Sequence, residues 1–318
     1  GCTAPPRHEL LKSVLEAAYR DLDEDLRNDA TKPRDGGTTA IVALVSVSYL
    51  IVANVGDSRC ILVRKRKADD DISDGAKLEV VPMSEDHKPD LPEERARIES
   101  AGLSVQADRV PSDGGDPDSE ATVVHRVRKS DRELLGVSRA FGDYDYKSNK
   151  ELSPSRQAVV SAPDVAIRER ADGEDLYLVL ACDGVWDVMS NDEAGSFVAR
   201  RVAESLGRVR GVAGGVGGAA ASPNGGTDGA SDERAADSVR GEVLARVGDD
   251  LLEECLRRGS RDNMSALIVA LPASRLPLGN GGRVGSSTSS QSAALAKEEE
   301  VPGPAMAADG TVRTLAFE

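Results

Sequence analysis

The sequence predicts an α+β fold. Strand-like runs cluster before and after helical stretches instead of alternating with them, and neighbouring strands are joined by hairpin-length links. A parallel doubly wound sheet would need a long crossover between successive strands. The first element is a helix over residues 8–30, where Leu10, Leu11, Val14, Leu15, Ala18, Leu22 and Leu26 recur at spacings of three and four. Asp21, Asp23 and Asp25 superficially match the opening of a calcium loop. The glycine such a loop needs is missing and the helical period runs through them, so they read as a solvated face.

Residues 32–37 read as a turn, followed by strands over 38–45, 49–55 and 59–63, with Gly56-Asp57-Ser58 as a tight turn between the last two. A charged loop at 65–76 leads to a short strand at 77–81. The next helix, 90–101, has Pro92 near its start and Gly102 just past its end. Residues 111–120, all Pro, Gly, Asp and Ser but for Glu120, read as a surface insertion. Strands over 159–168 and 175–181 precede a helix from 191 to about 205, opened by the capping-box pair Ser190 and Glu193. Residues 207–236, rich in Gly, Ala and Ser, read as a disordered insertion. A helix over 239–258 and a strand over 264–271 close the domain. Residues 1–272 thus form one domain and 273–318 a disordered tail.

Composition narrows the function. The 318 residues carry 40 Lys and Arg against 55 Asp and Glu, a net charge of −15. That balance argues against nucleic-acid binding, which needs a basic face to displace counterions. Cys2, Cys60, Cys182 and Cys255 show neither disulfide-scaffold nor zinc-ribbon spacing, which points to a reducing, intracellular compartment, cytoplasmic or nuclear. No secretory signal opens the chain. The longest apolar run, 40–55, is shorter than a bilayer span and carries Ser46, Ser48 and Asn54, so no transmembrane segment is expected. A monomer is expected.

Three strand ends place acidic residues beside glycine or at a strand's edge: Asn54-Val55-Gly56-Asp57-Ser58-Arg59, Ala181-Cys182-Asp183-Gly184-Val185-Trp186-Asp187, and Ser260-Arg261-Asp262-Asn263-Met264. Taken one at a time, each reads first as a turn. Taken together, carboxylates without nearby His or Cys offer hard oxygen ligands suited to Mg²⁺ or Mn²⁺. Such ions acidify a bound water and clamp phosphoryl oxygens, so phosphoester hydrolysis is the matching reaction class.

These blocks, read in order with Gly37-Thr38-Thr39-Ala40, Glu85-Asp86-His87-Lys88-Pro89, the run from Leu135 through Ser138-Arg139 to Gly142-Asp143, and Ala162-Pro163-Asp164, resemble the metal-dependent protein phosphatase family (PPM type, the type 2C serine/threonine phosphatases). The resemblance spans about residues 8–271 and implies an α-β-β-α sandwich of two antiparallel sheets flanked by helices. It implies a binuclear Mg²⁺ or Mn²⁺ centre and hydrolysis of phosphoserine and phosphothreonine in phosphoprotein substrates by a metal-activated water. Carried over by motif, Asp183 and Asp262 are metal ligands. Asp57 matches an acid that helps hold a third, weaker metal, with Asp187 acting there through water. Asn263 matches a residue supporting the ligands. His87, Arg59 and Arg139 read as structural, and Trp186 as a core anchor.

One family segment has no counterpart. The Asp-Gly-His-Gly-Gly motif, whose Asp bridges both metals, is missing, and Asp35-Gly36-Gly37 lacks its His. The chain is therefore expected to be an N-terminally truncated piece of an active phosphatase, inactive by itself for want of the bridging Asp. The alternative is a non-catalytic, phosphatase-like binding or regulatory module. Substrate specificity is expected in surface insertions such as 104–131 and in the tail.

Overall fold

In the computed structural model the described residues are 7–29, 31, 36–66, 78–110, 122–215, 229–274 and 284–289. In chain order the elements are α1 (Arg7–Asn28), β1 (Gly37–Thr38), β2 (Ala40–Val45), β3 (Tyr49–Val55), β4 (Arg59–Lys65), β5 (Leu78–Pro82), α2 (Pro92–Ser100), β6 (Ser104–Val110) and β7 (Thr122–Arg128). They continue with β8 (Leu134–Leu135), β9 (Phe141–Gly142), β10 (Asp164–Glu169), β11 (Asp175–Ala181), α3 (Asp183–Trp186), α4 (Asn191–Gly215), α5 (Gly229–Arg257), β12 (Met264–Ala270) and β13 (Val284–Ser289). Helices and predominantly antiparallel sheets confirm the α+β class. The described residues fall into two compact units, one built from residues up to Cys60 with Pro82–Arg170, the other from Ile61–Val81 with residues from Ala171 onward.

The first unit holds a sheet ordered β10-β3-β2, the pair β1-β9 and the sheet β6-β7-β8. The run Leu-Ile-Val-Ala-Asn-Val makes β3 the central strand, buried from Leu50 to Val55, with antiparallel partners on both sides. β-Branched residues suit such a doubly covered strand. Helix α1 lays Leu15, Tyr19 and Leu26 against Ala40, Ala53, Val55 and Phe141. Tyr19 also donates its hydroxyl to the Ala53 carbonyl at 3.3 Å.

The stripe on α1 differs from the sequence reading. Leu10, Val14 and Leu22 are exposed, and Asp23, assigned to the solvated face, is buried at 8% exposure. Lys147 Nζ lies 2.7 Å from Asp23 Oδ2, and the Gly142 N–H donates to Oδ1 at 2.8 Å. A buried carboxylate is tolerated there because cation and amide replace its water.

The second unit holds the sheet β13-β12-β11-β4-β5 with α4 and α5. β11 is buried throughout, whereas β12 alternates, with Met264, Ala266, Ile268 and Ala270 turned inward. These pack with Val243, Leu244, Val247, Leu251 and Leu252 of α5 and with Ala194, Val198 and Val202 of α4. The capping box forms as read: the Ser190 N–H and Oγ–H both donate to Glu193 Oε2, at 2.9 and 2.7 Å.

Three sequence assignments change. Residues 104–110 and 122–128, taken for surface insertion, pair in register as an antiparallel hairpin; the intervening 111–121 lie outside the described residues. Helix α4 runs on to Gly215 and α5 starts at Gly229, so helix occupies both flanks of the 207–236 stretch. Its Ala, Arg and Glu content supports helix despite the glycines. Within 273–318, β13 adds to the free edge of β12, where backbone pairing needs no particular side chains. The rest of that stretch lies outside the described residues.

Candidate functional site

Asp183, Asp187, Asp262 and Asn263 belong to the second unit and Asp57 to the first. In the second unit, β11 ends at Ala181 and Asp183 opens the single-turn helix α3. Asp183 Oδ1 accepts the Gly184 N–H at 2.8 Å, which holds the carboxylate at the turn. Asp262 Oδ1 accepts the Asn263 N–H at 2.7 Å in the same manner. Each acid is thus oriented by the backbone that follows it.

Gly184 brings the two acids together. A Cβ at this position would lie 2.6 Å from the Asn263 carbonyl oxygen and 3.3 Å from Asp262 Cβ. Any side chain there would force the strand ends apart. Ser260 Oγ donates to the Gly184 carbonyl at 2.7 Å. Cys182 Sγ donates to the Asn263 carbonyl at 3.4 Å and accepts the Ser265 N–H at 3.3 Å. Beneath this junction Trp186 is 7% exposed and donates Nε1–H to the Ala181 carbonyl at 2.7 Å, pinning α3 to the strand it leaves. Asp187 is exposed at the end of α3, its N–H donating to the Asp183 carbonyl at 2.8 Å. Asn263 is exposed, and its contacts to Cys182 and Asp262 run through its backbone.

In the first unit, Gly56 makes the turn after β3 with φ +100°. A Cβ there would also meet Thr39 Cγ2 at 2.3 Å, so both conformation and space demand glycine. Asp57 follows, 6% exposed, with its carboxylate paired to Lys88 Nζ. The turn is laced to the Glu85–Pro89 block. The Gly56 N–H donates to His87 Nδ1 at 3.0 Å, and Asn54 Nδ2 donates to the Gly56 and Glu85 carbonyls at 3.1 and 2.9 Å. Arg59 makes a two-pronged pair with Asp86 at 2.8 and 2.7 Å.

His87 Nε2 lies 3.2 Å from Asp164 Oδ2, and Arg139 Nη1 donates to Asp164 Oδ1 at 2.8 Å. His87 first and Arg139 second outweigh burial and hold the Asp164 carboxyl well below the usual range. Arg139 also reaches Glu94 Oε1 at 3.1 and 2.9 Å and the Ala162 carbonyl at 3.0 Å. Arg59, Arg139, His87 and Trp186 therefore have the structural partners expected of them.

Two side chains escaped the sequence reading. Lys88, the cation on Asp57, stands beside His87 in a block whose His attracted the attention. Glu94 is 2% exposed within α2 and takes Arg97, Arg139 and Ser138. Burial alone would raise its carboxyl, but the hydrogen bonds from Arg97 and Arg139 prevail and bring it down to about 2. A charged residue in a short helix gives no sign of burial until its partners, 44 and 45 positions away in sequence for Ser138 and Arg139, are folded against it.

Asp183 and Asp262 are hard oxygen donors, adjacent and backbone-oriented. Mg²⁺ is commonly held by one or two carboxylates with water completing its shell, so this pair fits one such ion. Within neither unit, among the described residues, do three or more His, Cys, Asp or Glu form a group able to hold a metal. A complete binuclear donor set is accordingly not assembled within either unit.

Residues 4–211 match the family model described as protein phosphatase 2C. The chain is similar to Protein phosphatase ppm-1.A of Caenorhabditis elegans, 34% identical over 267 residues, covering 83% of this chain and 42% of that protein. It is also similar to human Protein phosphatase 1A, 30% identical over 275 residues, covering 86% of this chain and 54% of that protein. The chain spans about half the length of the curated relatives it matches. Among solved structures it resembles a serine-threonine phosphatase 2C from Toxoplasma gondii, with a TM-score of 0.52 at 20% identity, covering 85% of this chain and 72% of that one. That likeness concerns the fold.

Proposed function

The chain belongs to the protein phosphatase 2C family, and on that premise we propose that it is the part of a metal-dependent serine/threonine phosphatase that supplies Asp183 and Asp262 to the metal centre. The substrates are phosphoserine and phosphothreonine in proteins, and the domain is residues 1–272. The metal, Mg²⁺ or Mn²⁺, supplies charge to activate water and to neutralise phosphoryl oxygens. The residues' own part is to present carboxylate oxygens from two strand ends held in contact by Gly184. Asn263 and Gly184 donate backbone N–H groups that keep those oxygens aimed. From their motifs, Asp57 of the first unit and Asp187 of the second are each proposed as a weaker metal ligand, and Lys88 pairs the Asp57 carboxylate in this structure.

One observation carries the reading: the close approach of Gly184 to the Asp262–Asn263 backbone, which makes neighbours of acids 79 positions apart in the sequence. Because the sequence has no Asp-Gly-His-Gly-Gly segment, turnover by this chain alone is proposed to be low. A reducing, intracellular compartment is proposed from the cysteine spacing in the sequence. Among the described residues no helix is long and apolar enough to cross a membrane.

The test uses metal binding as its primary readout. Titration calorimetry with Mn²⁺ should show binding by the chain that Asp183→Asn and Asp262→Asn each weaken about tenfold or more. Hydrolysis of a phosphothreonine peptide, where detectable, should vanish with chelator and in both variants. Wild-type Mn²⁺ affinity in both variants would overturn the assignment.

A further inference from the structure

The first unit contains a cavity of about 490 Å³ between α1 and the segment 144–161. Four basic side chains line it, Arg20, Arg27, Lys147 and Lys150, against two acidic ones, Asp23 and Glu24. The chain as a whole is strongly acidic, so a net basic cavity runs against its composition. Asp23 and buried Lys147 neutralise one another at 2.7 Å. Arg20 is paired to Asp21 at 3.3 Å, so the charges left facing the space are Arg27 and Lys150 against Glu24.

The walls are held in shape before any ligand arrives. Arg20, Asp23, Glu24 and Arg27 share one face of α1 by their helical spacing. The Arg27 guanidinium lies over the Tyr144 ring, 4.7 Å from its centroid. That ring is itself fixed, because Tyr144 donates its hydroxyl to the Asp23 carbonyl at 2.9 Å. Opposite, Gln157 is 6% exposed and braces the loop, donating to the Asn149 and Leu152 carbonyls at 2.7 and 3.0 Å and accepting the Asn149 N–H at 3.1 Å. Among the described residues Arg27 has one long hydrogen bond, Nη2 to the Lys147 carbonyl at 3.5 Å, and its exposed side chain lines the cavity.

We propose that this cavity is an oxyanion-binding site for a phosphate group, recognised by the Arg27 guanidinium seated over Tyr144 with Lys150 as a second cation. A guanidinium seated over an aromatic ring loses less freedom on binding than a free one and offers paired donors matched to two phosphoryl oxygens. Glu24 opposes binding and sets the affinity low. The phosphate is either free inorganic phosphate or the phosphoryl group of a phosphoserine side chain. The inference stands apart from the metal-centre reading, since it involves none of its residues.

The experiment titrates the isotope-labelled full chain with inorganic phosphate and, separately, with a short phosphoserine peptide and its unphosphorylated form. Chelator is present throughout, so no metal-bound phosphate contributes. A saturable shift of the Arg27 Nε–Hε resonance is expected with at least one phosphate source and none with the unphosphorylated peptide. Arg27→Gln and the exposed Lys150→Gln should each weaken binding about tenfold, and Arg27→Lys should restore only part of the loss because it lacks the fork. Saturation by inorganic phosphate alone identifies a free anion; saturation by the peptide identifies a phosphoprotein. No saturable shift from either source, or wild-type affinity in folded Lys150→Gln and Arg27→Gln, would overturn the proposal.

Discussion

Replacing Glu94 by Gln removes one charge from the centre of the first unit while keeping the side chain's volume. Glu94 is 2% exposed and receives Arg97 at 2.9 and 2.7 Å, Arg139 at 3.1 and 2.9 Å, and the Ser138 hydroxyl. Its carboxyl is brought from 4.5 to about 2, which favours the charged form by about 3 kcal/mol. Because the folded value is depressed, this stability is fully present above the ordinary titration near 4.5 and is lost as the pH falls through about 2. Glu94→Gln should therefore be about 3 kcal/mol less stable than the parent at pH 7, with the gap closing between about pH 4.5 and 2. Glu94→Ala should cost at least as much, about 3–5 kcal/mol, because two guanidinium groups then lose their buried anion. Urea unfolding followed by far-UV circular dichroism is the suitable assay, since the single Trp186 reports on the second unit. Equal stability of Glu94→Gln and parent at pH 7, or a gap that ignores pH, would refute the reasoning.

Gly56→Ala combines positive φ with a Thr39 clash and should lower stability by about 1–3 kcal/mol, read as a drop in thermal midpoint. Lys88→Met leaves the Asp57 carboxylate without its ammonium; since Lys88 is partly exposed, a loss of about 1–2 kcal/mol is expected from urea unfolding. Trp186→Phe removes the hydrogen bond to Ala181 and part of the packing, and should cost about 1–3 kcal/mol while keeping the far-UV spectrum. Gly184→Ala should separate Asp183 from Asp262 and weaken Mn²⁺ binding in calorimetry more than it lowers the thermal midpoint.

Local chemistry made much of the molecule legible. The apolar run of β3, the alternation in β12, Pro92 and Gly102 bounding α2 and the Ser190–Glu193 box each declare their element through neighbours a few residues away. The ordered motif blocks pointed to the family, and the acids at the strand ends to a metal. Burial of charge was not legible. Asp23 and Glu94 look like ordinary surface residues because their partners, Lys147 and Arg139, lie 124 and 45 positions away. The hairpin of β6 and β7 was hidden for a similar reason: its strands mix polar and apolar residues, and only pairing across the residues between them shows the register.

Sequence alone determined the α+β class and the family, and marked strand-end carboxylates as candidates for a divalent ion, because residue type and short-range spacing specify those properties. Tertiary structure decided which acids become neighbours and which are neutralised by cations. Proximity and desolvation depend on backbone from distant parts of the chain, as where the missing side chain of Gly184 lets the Asp262 strand end close on Asp183.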